Sequence, residues 1–335
     1  MLSLRRRILP ILCVLLGAPV TAEFLQAYQA LTGDPVAVAG AIVFLAPLYG
    51  GAALLIREIT VRTGRGWPAT LILAAAFGLA MPGIVDLSMF GVDAPGVPYW
   101  AELREPTLIP GLHVSAFSTI SWAAGHVMMS VGAPLALLYA VAPVHRGRPL
   151  LGRVGIPATI AAWTVVAVQI HIDGRESFGL TPTAGPMILM VAVVVAIAAL
   201  AMSPLGSPVG VSGQSRTVPA VLIVAGAVTL KVSMDLLPST WLGVAAFLGL
   251  VLLAGIILHF AARHRQWGPR EIGMLGVGVV IGGILIGFLA PLPPGVTATA
   301  KLTQNAALLL AAVLLAFLMS RRTRQVHDGA PELRP

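Results

Sequence analysis

The chain has 335 residues, of which 57% are hydrophobic and only 10% are charged. Soluble domains carry roughly 25% charged residues, so this composition excludes an ordinary soluble protein and predicts a polytopic membrane protein. The formal net charge of +8 does not predict a nucleic-acid partner, because no basic patch is interleaved with aromatic residues. The single cysteine, Cys13, excludes an internal disulfide bond.

Ten apolar stretches are long enough to cross a bilayer, whose hydrocarbon core needs about 20 apolar residues per helix. Most of them end at Gly, Pro or charged residues, as helices commonly do. The sequence therefore predicts an all-α transmembrane bundle of about ten helices. The predicted spans are residues 8–30, 36–58, 67–90, 114–142, 156–173, 184–203, 218–236, 240–262, 272–290 and 300–319.

The distribution of Lys and Arg predicts the orientation of these spans. With the N-terminus in the cytoplasm, 17 of the 21 Lys and Arg residues fall on the cytoplasmic side and 4 on the outer side. A multi-pass protein of the cell membrane with both termini inside is therefore expected. The first span has an alternative interpretation: Arg5-Arg6-Arg7, an apolar run and Val20-Thr21-Ala22 also fit a cleavable signal peptide, which would leave nine spans.

A segment rich in Gly, Ser and Pro, residues 204–217, is typical of a flexible cytoplasmic linker. We expect it to separate a first membrane region, residues 1–203 with six spans, from a second region, residues 218–319 with four. Residues 320–335 are basic and then contain proline, and are expected to form a disordered cytoplasmic tail.

Prolines and glycines distinguish the early spans from a later one. Each proline inside a helix removes a backbone hydrogen bond and allows a kink; in the first four spans these are Pro19, Pro47, Pro82 and Pro134. Span nine carries glycines at a small-xxx-small spacing, which predicts tight helix packing; they are Gly278, Gly282, Gly283 and Gly287.

Ionisable residues inside the spans indicate where a functional site could lie, because a charge in the membrane is costly unless it is paired or hydrated. Most of the main candidates fall in the outer half of the bilayer, with His126 near mid-depth; they are Glu23, Asp86, His126, Lys231 and Asp235. We expect them to line an outward-facing cavity that binds a substrate or couples its movement to protons. The alternative is structural, since Lys231 and Asp235, four residues apart, also fit an ion pair at a helix end.

Three secondary candidates lie nearer the membrane surfaces. His113 is placed at the outer mouth of span four, and Glu58 and Arg62 at the inner end of span two, where an i,i+4 ion pair is also ordinary. A trio of Glu23, Asp86 and His126 could supply metal ligands if their spans packed together. No clustered metal-binding spacing is present, so no metal site is predicted, and the sequence does not identify a cofactor.

Two further features are expected at the membrane interfaces. Tyr99 and Trp100 belong to the largest outer loop, residues 91–112, where aromatic side chains are typical interfacial anchors. Lys301, at the outer start of span ten, is expected to extend its ammonium group to the outer headgroups.

Spans two to four carry the motifs Glu58-x-x-x-Arg62, Phe77 in an apolar run, and His126-x-x-x-Ser130. Over residues 57–130 these motifs resemble the CAAX-protease and bacteriocin-processing (CPBP) family of intramembrane metalloproteases, whose pattern is Glu-Glu-x-x-x-Arg, Phe-x-x-x-His and His-x-x-x-Asn or Asp. Here Arg57 replaces the first Glu, Met81 stands where the second motif has His, and Ser130 replaces the last polar ligand. The resemblance implies an intramembrane metalloprotease, active or degenerate.

A second resemblance comes from an Arg-Gly-Trp-Pro turn, residues 65–68, followed by an apolar span that ends at Ser88-Met89-Phe90. This combination resembles uncharacterised polytopic integral membrane proteins of high-GC actinobacteria, and it implies no activity.

The first interpretation is a transporter or permease-like protein, or a binder of a small solute or lipid headgroup, with no catalytic residue. One alternative is the intramembrane metalloprotease. The other is a non-catalytic membrane assembly subunit, suggested by the glycine face of span nine.

Overall fold

The structure is a computed structural model that describes residues 4–94, 97, 99–178, 183–210, 212 and 216–328. Within these residues the chain is almost entirely helical. The α-helices are α1 (Leu4–Pro19), α2 (Pro35–Leu45), α3 (Gly51–Arg62), α4 (Trp67–Ala80), α5 (Trp100–Arg104), α6 (Ala116–Gly125), α7 (Ala133–Val141), α8 (Gly155–Ser177), α9 (Ala184–Met202), α10 (Ala220–Asp235), α11 (Trp241–His264), α12 (Pro269–Leu289) and α13 (Ala298–Asp328).

In the part of the chain that the structure describes, the strands form two short pairs in the loops. An antiparallel pair in the loop before α6 joins β1 (Leu108–Ile109) to β2 (Val114–Ser115). A parallel pair joins β3 (Arg216–Thr217), before α10, to β4 (Arg265–Gln266), after α11.

Nine helical segments of the described chain are long and apolar enough to cross a membrane, which is compatible with the predicted multi-pass protein. Several consist of consecutive α-helices joined by a π-helical turn. The nine are Arg7–Phe24, Pro35–Arg62, Trp67–Val85, Ala116–Val141, Gly155–Ser177, Ala184–Met202, Trp241–His264, Pro269–Leu289 and Ala298–Ser320.

The predicted seventh span, residues 218–236, differs from this pattern. Its helix, α10, has 16 residues. At a rise of 1.5 Å per residue it is about 24 Å long, less than the hydrocarbon thickness of about 30 Å. Among the described residues, nine helical segments rather than the predicted ten are therefore long enough to span a membrane. The difference is α10, which begins after Pro219 and ends at the turn after Asp235.

The predicted tight packing of span nine is confirmed by α12. A Cβ atom added at Gly278 would lie 2.7 Å from Cβ of Ala227, and one added at Gly282 would lie 2.8 Å from Cβ of Lys231. Both partners belong to α10 of the same chain. The glycine face is therefore used within the protein, and α12 is among its most enclosed helices.

Buried apolar side chains form two main core clusters, and the second one combines residues of both predicted membrane regions. The first core includes Val14, Leu54, Ala74 and Leu135 on α1, α3, α4 and α7. The second includes Ile223, Val277 and Ala312 on α10, α12 and α13. Because α12 packs against α7, the two regions are in direct contact.

The segment predicted as a linker begins with a 3-10 turn, Pro204–Gly206, and Arg65 donates a hydrogen bond to the carbonyl oxygen of Ser203 at 2.5 Å. At the other end of the chain, α13 continues to Asp328, so the first part of the predicted tail is helical. Residues 329–335 lie outside the described residues.

Four π-helical turns interrupt the first four spans close to the predicted internal prolines. A proline lacks the N–H that an α-helix requires, and a π-helical turn is one way to accommodate its loss. Pro19 precedes the first turn, Pro47 and Pro82 lie in the second and third, and Pro134 follows the fourth. The turns are Val20–Phe24, Ala46–Gly50, Met81–Val85 and His126–Gly132.

Candidate functional site

The π-helical turns lie close together in the bundle and carry polar side chains. The turns of the first and second spans both contact the turn of the fourth. They bear Glu23, Tyr49 and His126, and Asp86 follows the turn of the third span directly. Since π-helical turns are frequent at functional sites, this group is the candidate site.

The carboxylate of Glu23 is the centre of the hydrogen bonds in this group. The hydroxyl groups of Tyr28 and Tyr49 donate to it, and the side-chain amide of Gln29 donates at 3.0 Å. Among the described residues no Lys or Arg lies within ion-pairing distance of Glu23. Hydrogen bonds from neutral groups, rather than a cation, therefore offset the free-energy cost of removing this carboxylate from water.

Tyr49 connects Glu23 to His126. Its ring stacks on the imidazole of His126 with centroids 5.9 Å apart, and Phe77 packs edge-on against both rings. On its other side, Nδ1 of His126 lies 2.9 Å from the hydroxyl oxygen of Ser130. A continuous path of contacts thus runs from Glu23 to Ser130.

Sequence reasoning missed Tyr49, although a signal was available. Tyr49 is a hydroxyl-bearing side chain inside a predicted apolar span, and it follows the internal proline Pro47 by two residues. A buried tyrosine hydroxyl usually needs a hydrogen-bond partner. In this structure the partner is Glu23.

Asp86 lies at the margin of the same region. Its carboxylate accepts a hydrogen bond from the backbone N–H of Ser88 at 2.8 Å, and it interacts electrostatically with Glu23. The next residue, Leu87, is buried and has a φ of 63°, a left-handed conformation that is costly for a leucine. Within the described residues, no three His, Cys, Asp or Glu side chains are grouped so as to hold a metal ion.

Lys231 and Asp235 form an ion pair at the end of α10, next to the first span. Lys231 is buried, and the side-chain amide of Gln26 lies 3.4 Å from the Asp235 carboxylate. The pair therefore links α10 to the same end of the first span that carries Glu23.

The expectation that Lys301 reaches the outer headgroups is wrong. Lys301 is only 4% exposed and donates hydrogen bonds at 3.0 Å to the carbonyl oxygens of Gln26 and Ala27. The physical reason is that the chain leaves its helical path at Ala27, whose φ is 49°, so the preceding carbonyl groups need donors. Asn305 of α13 supplies another donor to the carbonyl of Leu25.

Glu58 and Arg62 belong to a separate network at the opposite end of the second span. One carboxylate oxygen of Glu58 accepts hydrogen bonds from the backbone N–H groups of Leu150 and Leu151, at 2.6 and 3.1 Å. The other accepts from Nε of Arg62 at 2.9 Å. Both oxygens of Glu58 are thus occupied by protein donors.

Arg57 completes this network beneath the loop between α7 and α8. Its side chain is fully buried and donates to the carbonyl oxygens of His145 and Arg148, at 2.5 and 2.8 Å. It also pairs with Glu58 at 3.3 Å and lies over the ring of Tyr139. The network holds the loop between α7 and α8 against α3.

His113 lies in the loop that precedes α6, away from the Glu23 group. It lines a cleft of about 110 Å³, and its carbonyl oxygen accepts a hydrogen bond from Arg104 at 3.0 Å. This cleft includes neither Glu23 nor Asp86 nor His126. The structure therefore separates His113 from the main candidates.

Trp100 does not have the exposed setting expected of an interfacial anchor. It is 7% exposed, its indole N–H donates to the carbonyl oxygen of Gly91 at 3.1 Å, and its ring stacks on Trp122 and Phe178. Tyr99 beside it is 39% exposed. The tryptophan therefore packs the outer loop against the helices.

No protein-family model, curated protein or solved structure matches this chain. The two resemblances drawn from sequence motifs remain predictions.

Proposed function

We propose that this protein is a multi-pass carrier or binder of a small solute in the cell membrane, and that Glu23 is the group through which solute and proton compete. The observation that carries the proposal is the meeting of π-helical turns from the first, second and fourth spans around the Glu23 carboxylate. Such turns leave the helix less regular where a ligand or a conformational change must be accommodated.

Charge favours a cationic solute. Glu23 and Asp86 interact electrostatically, and neither has a Lys or Arg partner among the described residues. The hydroxyl of Tyr49 contacts Glu23, the ring of Tyr49 packs against Phe77 and His126, and aromatic faces attract organic cations. With the N-terminus in the cytoplasm, this group faces the outer side of the membrane.

Coupling to protons follows from the chemistry of the Glu23 carboxylate. As an anion it can accept the three hydrogen bonds that Tyr28, Gln29 and Tyr49 donate. When protonated it becomes a donor and must give up part of this arrangement. A proton and a cation therefore compete for the same negative charge, and Tyr49 transmits the change to His126.

The test uses the full chain in neutral detergent and in proteoliposomes, with Glu23→Gln as the main variant. A panel of small organic cations (tetramethylammonium, choline and primary amines) is screened for an increase in the unfolding temperature. A stabilising cation is then added outside proteoliposomes that contain a pH-sensitive dye. We expect stabilisation and proton flux in the wild type, and the loss of both in Glu23→Gln.

The matched control is Glu176→Gln, which makes the same chemical change at an exposed position at the end of α8. It should behave as the wild type does. If Glu23→Gln retains wild-type stabilisation and flux, the proposed role of Glu23 is wrong. Elemental analysis of the same samples tests the metalloprotease alternative, which predicts stoichiometric zinc in the wild type and its loss in His126→Ala.

A further inference from the structure

A buried arginine lies in a cleft of the outer loop whose lining includes none of Glu23, Asp86 and His126. The loop between the third span and α6 encloses a cleft of about 110 Å³. Phe90, Val92 and Leu108 supply apolar walls, and Arg104, Glu105 and His113 supply the polar lining. A cleft of this size has room for several water molecules or for one small charged group.

Arg104 has no carboxylate partner among the residues that the structure describes. It is only 4% exposed, and its Nη2 atom donates to the carbonyl oxygens of Met89 and His113, at 2.9 and 3.0 Å. Its guanidinium lies over the ring of Trp100. Across the described part of the chain, no Asp or Glu lies within ion-pairing distance of Arg104.

The contrast with Arg57 shows why this setting is unusual. Arg57 is also buried, but it has the carboxylate of Glu58 beside it. Buried charges are ordinarily paired, because the loss of hydration is otherwise uncompensated. In agreement, burial lowers the pKa of Arg104 below its ordinary value. Within the described residues, the buried Nε atoms of both arginines have no hydrogen-bond partner, so the missing carboxylate is what distinguishes Arg104.

We propose that this cleft binds an oxyanion, either a carboxylate or a phosphate group, through the guanidinium of Arg104. A guanidinium binds such groups with charged, directional hydrogen bonds. The apolar walls strengthen this attraction by lowering the local dielectric constant, and they can receive a hydrocarbon part of the ligand. The proposal does not depend on the cation site at Glu23.

Glu105 sets the strength of binding in this proposal. It is exposed, lines the same cleft and carries a negative charge that repels an anion. It lies outside ion-pairing distance of Arg104, so it does not satisfy the guanidinium. Neutralising Glu105 should therefore tighten anion binding, whereas replacing Arg104 should weaken it.

The oxyanion has two possible sources, a soluble anion or the headgroup of an anionic lipid. The first arm titrates the full chain in neutral detergent with sodium phosphate or sodium acetate, against sodium chloride at equal ionic strength, and follows the unfolding temperature. The second arm compares nanodiscs of phosphatidylcholine with and without phosphatidylglycerol. Stabilisation in the first arm identifies a soluble anion, and stabilisation in the second arm alone identifies a lipid headgroup.

We expect Arg104→Lys to bind the stabilising anion about tenfold more weakly, because the ammonium group cannot reproduce the planar geometry of the guanidinium. Glu105→Gln should bind it about threefold more tightly or better. Arg153→Gln, which removes an exposed arginine between α7 and α8, is the matched control and should not change binding.

The proposal is overturned if neither phosphate, acetate nor phosphatidylglycerol stabilises the wild type. It is also overturned if Arg104→Lys binds as tightly as the wild type. Should Arg104→Lys fail to fold, Glu105→Gln still decides the question, because unchanged or weaker binding in that variant contradicts an anion in this cleft.

Discussion

Replacing Glu58 by Gln tests whether the network at the inner end of the second span stabilises the fold. The substitution preserves shape and removes one negative charge. The glutamine oxygen can still accept from the N–H groups of Leu150 and Leu151, but as a neutral acceptor. Its amide nitrogen faces Nε of Arg62, which is also a donor, so that hydrogen bond is lost.

The expected loss of stability is the sum of the contributions of these contacts to the free energy of unfolding. Hydrogen bonds to a charged group contribute about 1.5–3 kcal/mol, against about 1 kcal/mol for neutral pairs, so weakening two of them costs about 1–4 kcal/mol. The lost bond to Arg62 costs about 1 kcal/mol or less, because the Arg62 side chain is 39% exposed and solvent screens its charge. Arg57, fully buried, also loses its only carboxylate among the described residues, which brings the total to about 3 kcal/mol or more.

The assay is thermal unfolding of the detergent-purified chain, with Glu176→Gln as the control for loss of an exposed carboxylate. About 3 kcal/mol corresponds to a fall of roughly 4 °C in the unfolding temperature for a protein of this size. If Glu58→Gln and Glu176→Gln unfold at the same temperature, the reasoning is refuted. A variant of unchanged stability that has lost an activity would favour the metalloprotease alternative.

Two further predictions concern packing and pH. Gly278→Ala should lower stability by about 1–3 kcal/mol, because the new Cβ atom would lie 2.7 Å from Cβ of Ala227 in α10. Gly226 of α10 has open space at its Cβ position, so Gly226→Ala should leave the unfolding temperature unchanged or slightly raised. Equal unfolding temperatures for the two variants would contradict the close packing of α12 on α10. His145 is buried, and burial, followed by the charges of Arg57 and other basic neighbours, lowers its pKa. Because the folded state disfavours its protonation, the wild type should lose stability as pH falls through about 6.5, the ordinary value, toward the folded pKa. His145→Gln should show a smaller loss over the same range, and identical pH profiles for the two proteins would exclude this contribution.

The sequence located the polar residues more reliably than it located their partners. It placed Glu23, Lys231 and Lys301 toward one end of the bundle, and contacts of the first span with Tyr49, α10 and α13 occur there. It did not predict that Lys301 turns inward, because that depends on where the first span leaves its helical path. That point, Ala27, has no sequence signal, since alanine rarely adopts a positive φ.

For the secondary candidates, too, the sequence predicts local contacts but not contacts with distant parts of the chain. The spacing of Glu58 and Arg62 predicts their ion pair, which the structure contains. Their contacts with residues 150 and 151 lie about 90 positions further along the chain and have no local signature. The buried setting of Arg104 likewise arises only when the outer loop folds over the helices.

By itself the sequence determined that this chain is helical and contains many segments compatible with membrane spans, because apolar length and composition act locally along the chain. It also indicated where helices would depart from regular geometry, because a proline lacks its N–H in any context. Only the tertiary structure decided which polar groups meet. It also decided that the helix α10 has only 16 residues and that Gly278 and Gly282 of α12 are covered by α10. These features depend on how distant helices approach one another, which local sequence patterns do not specify.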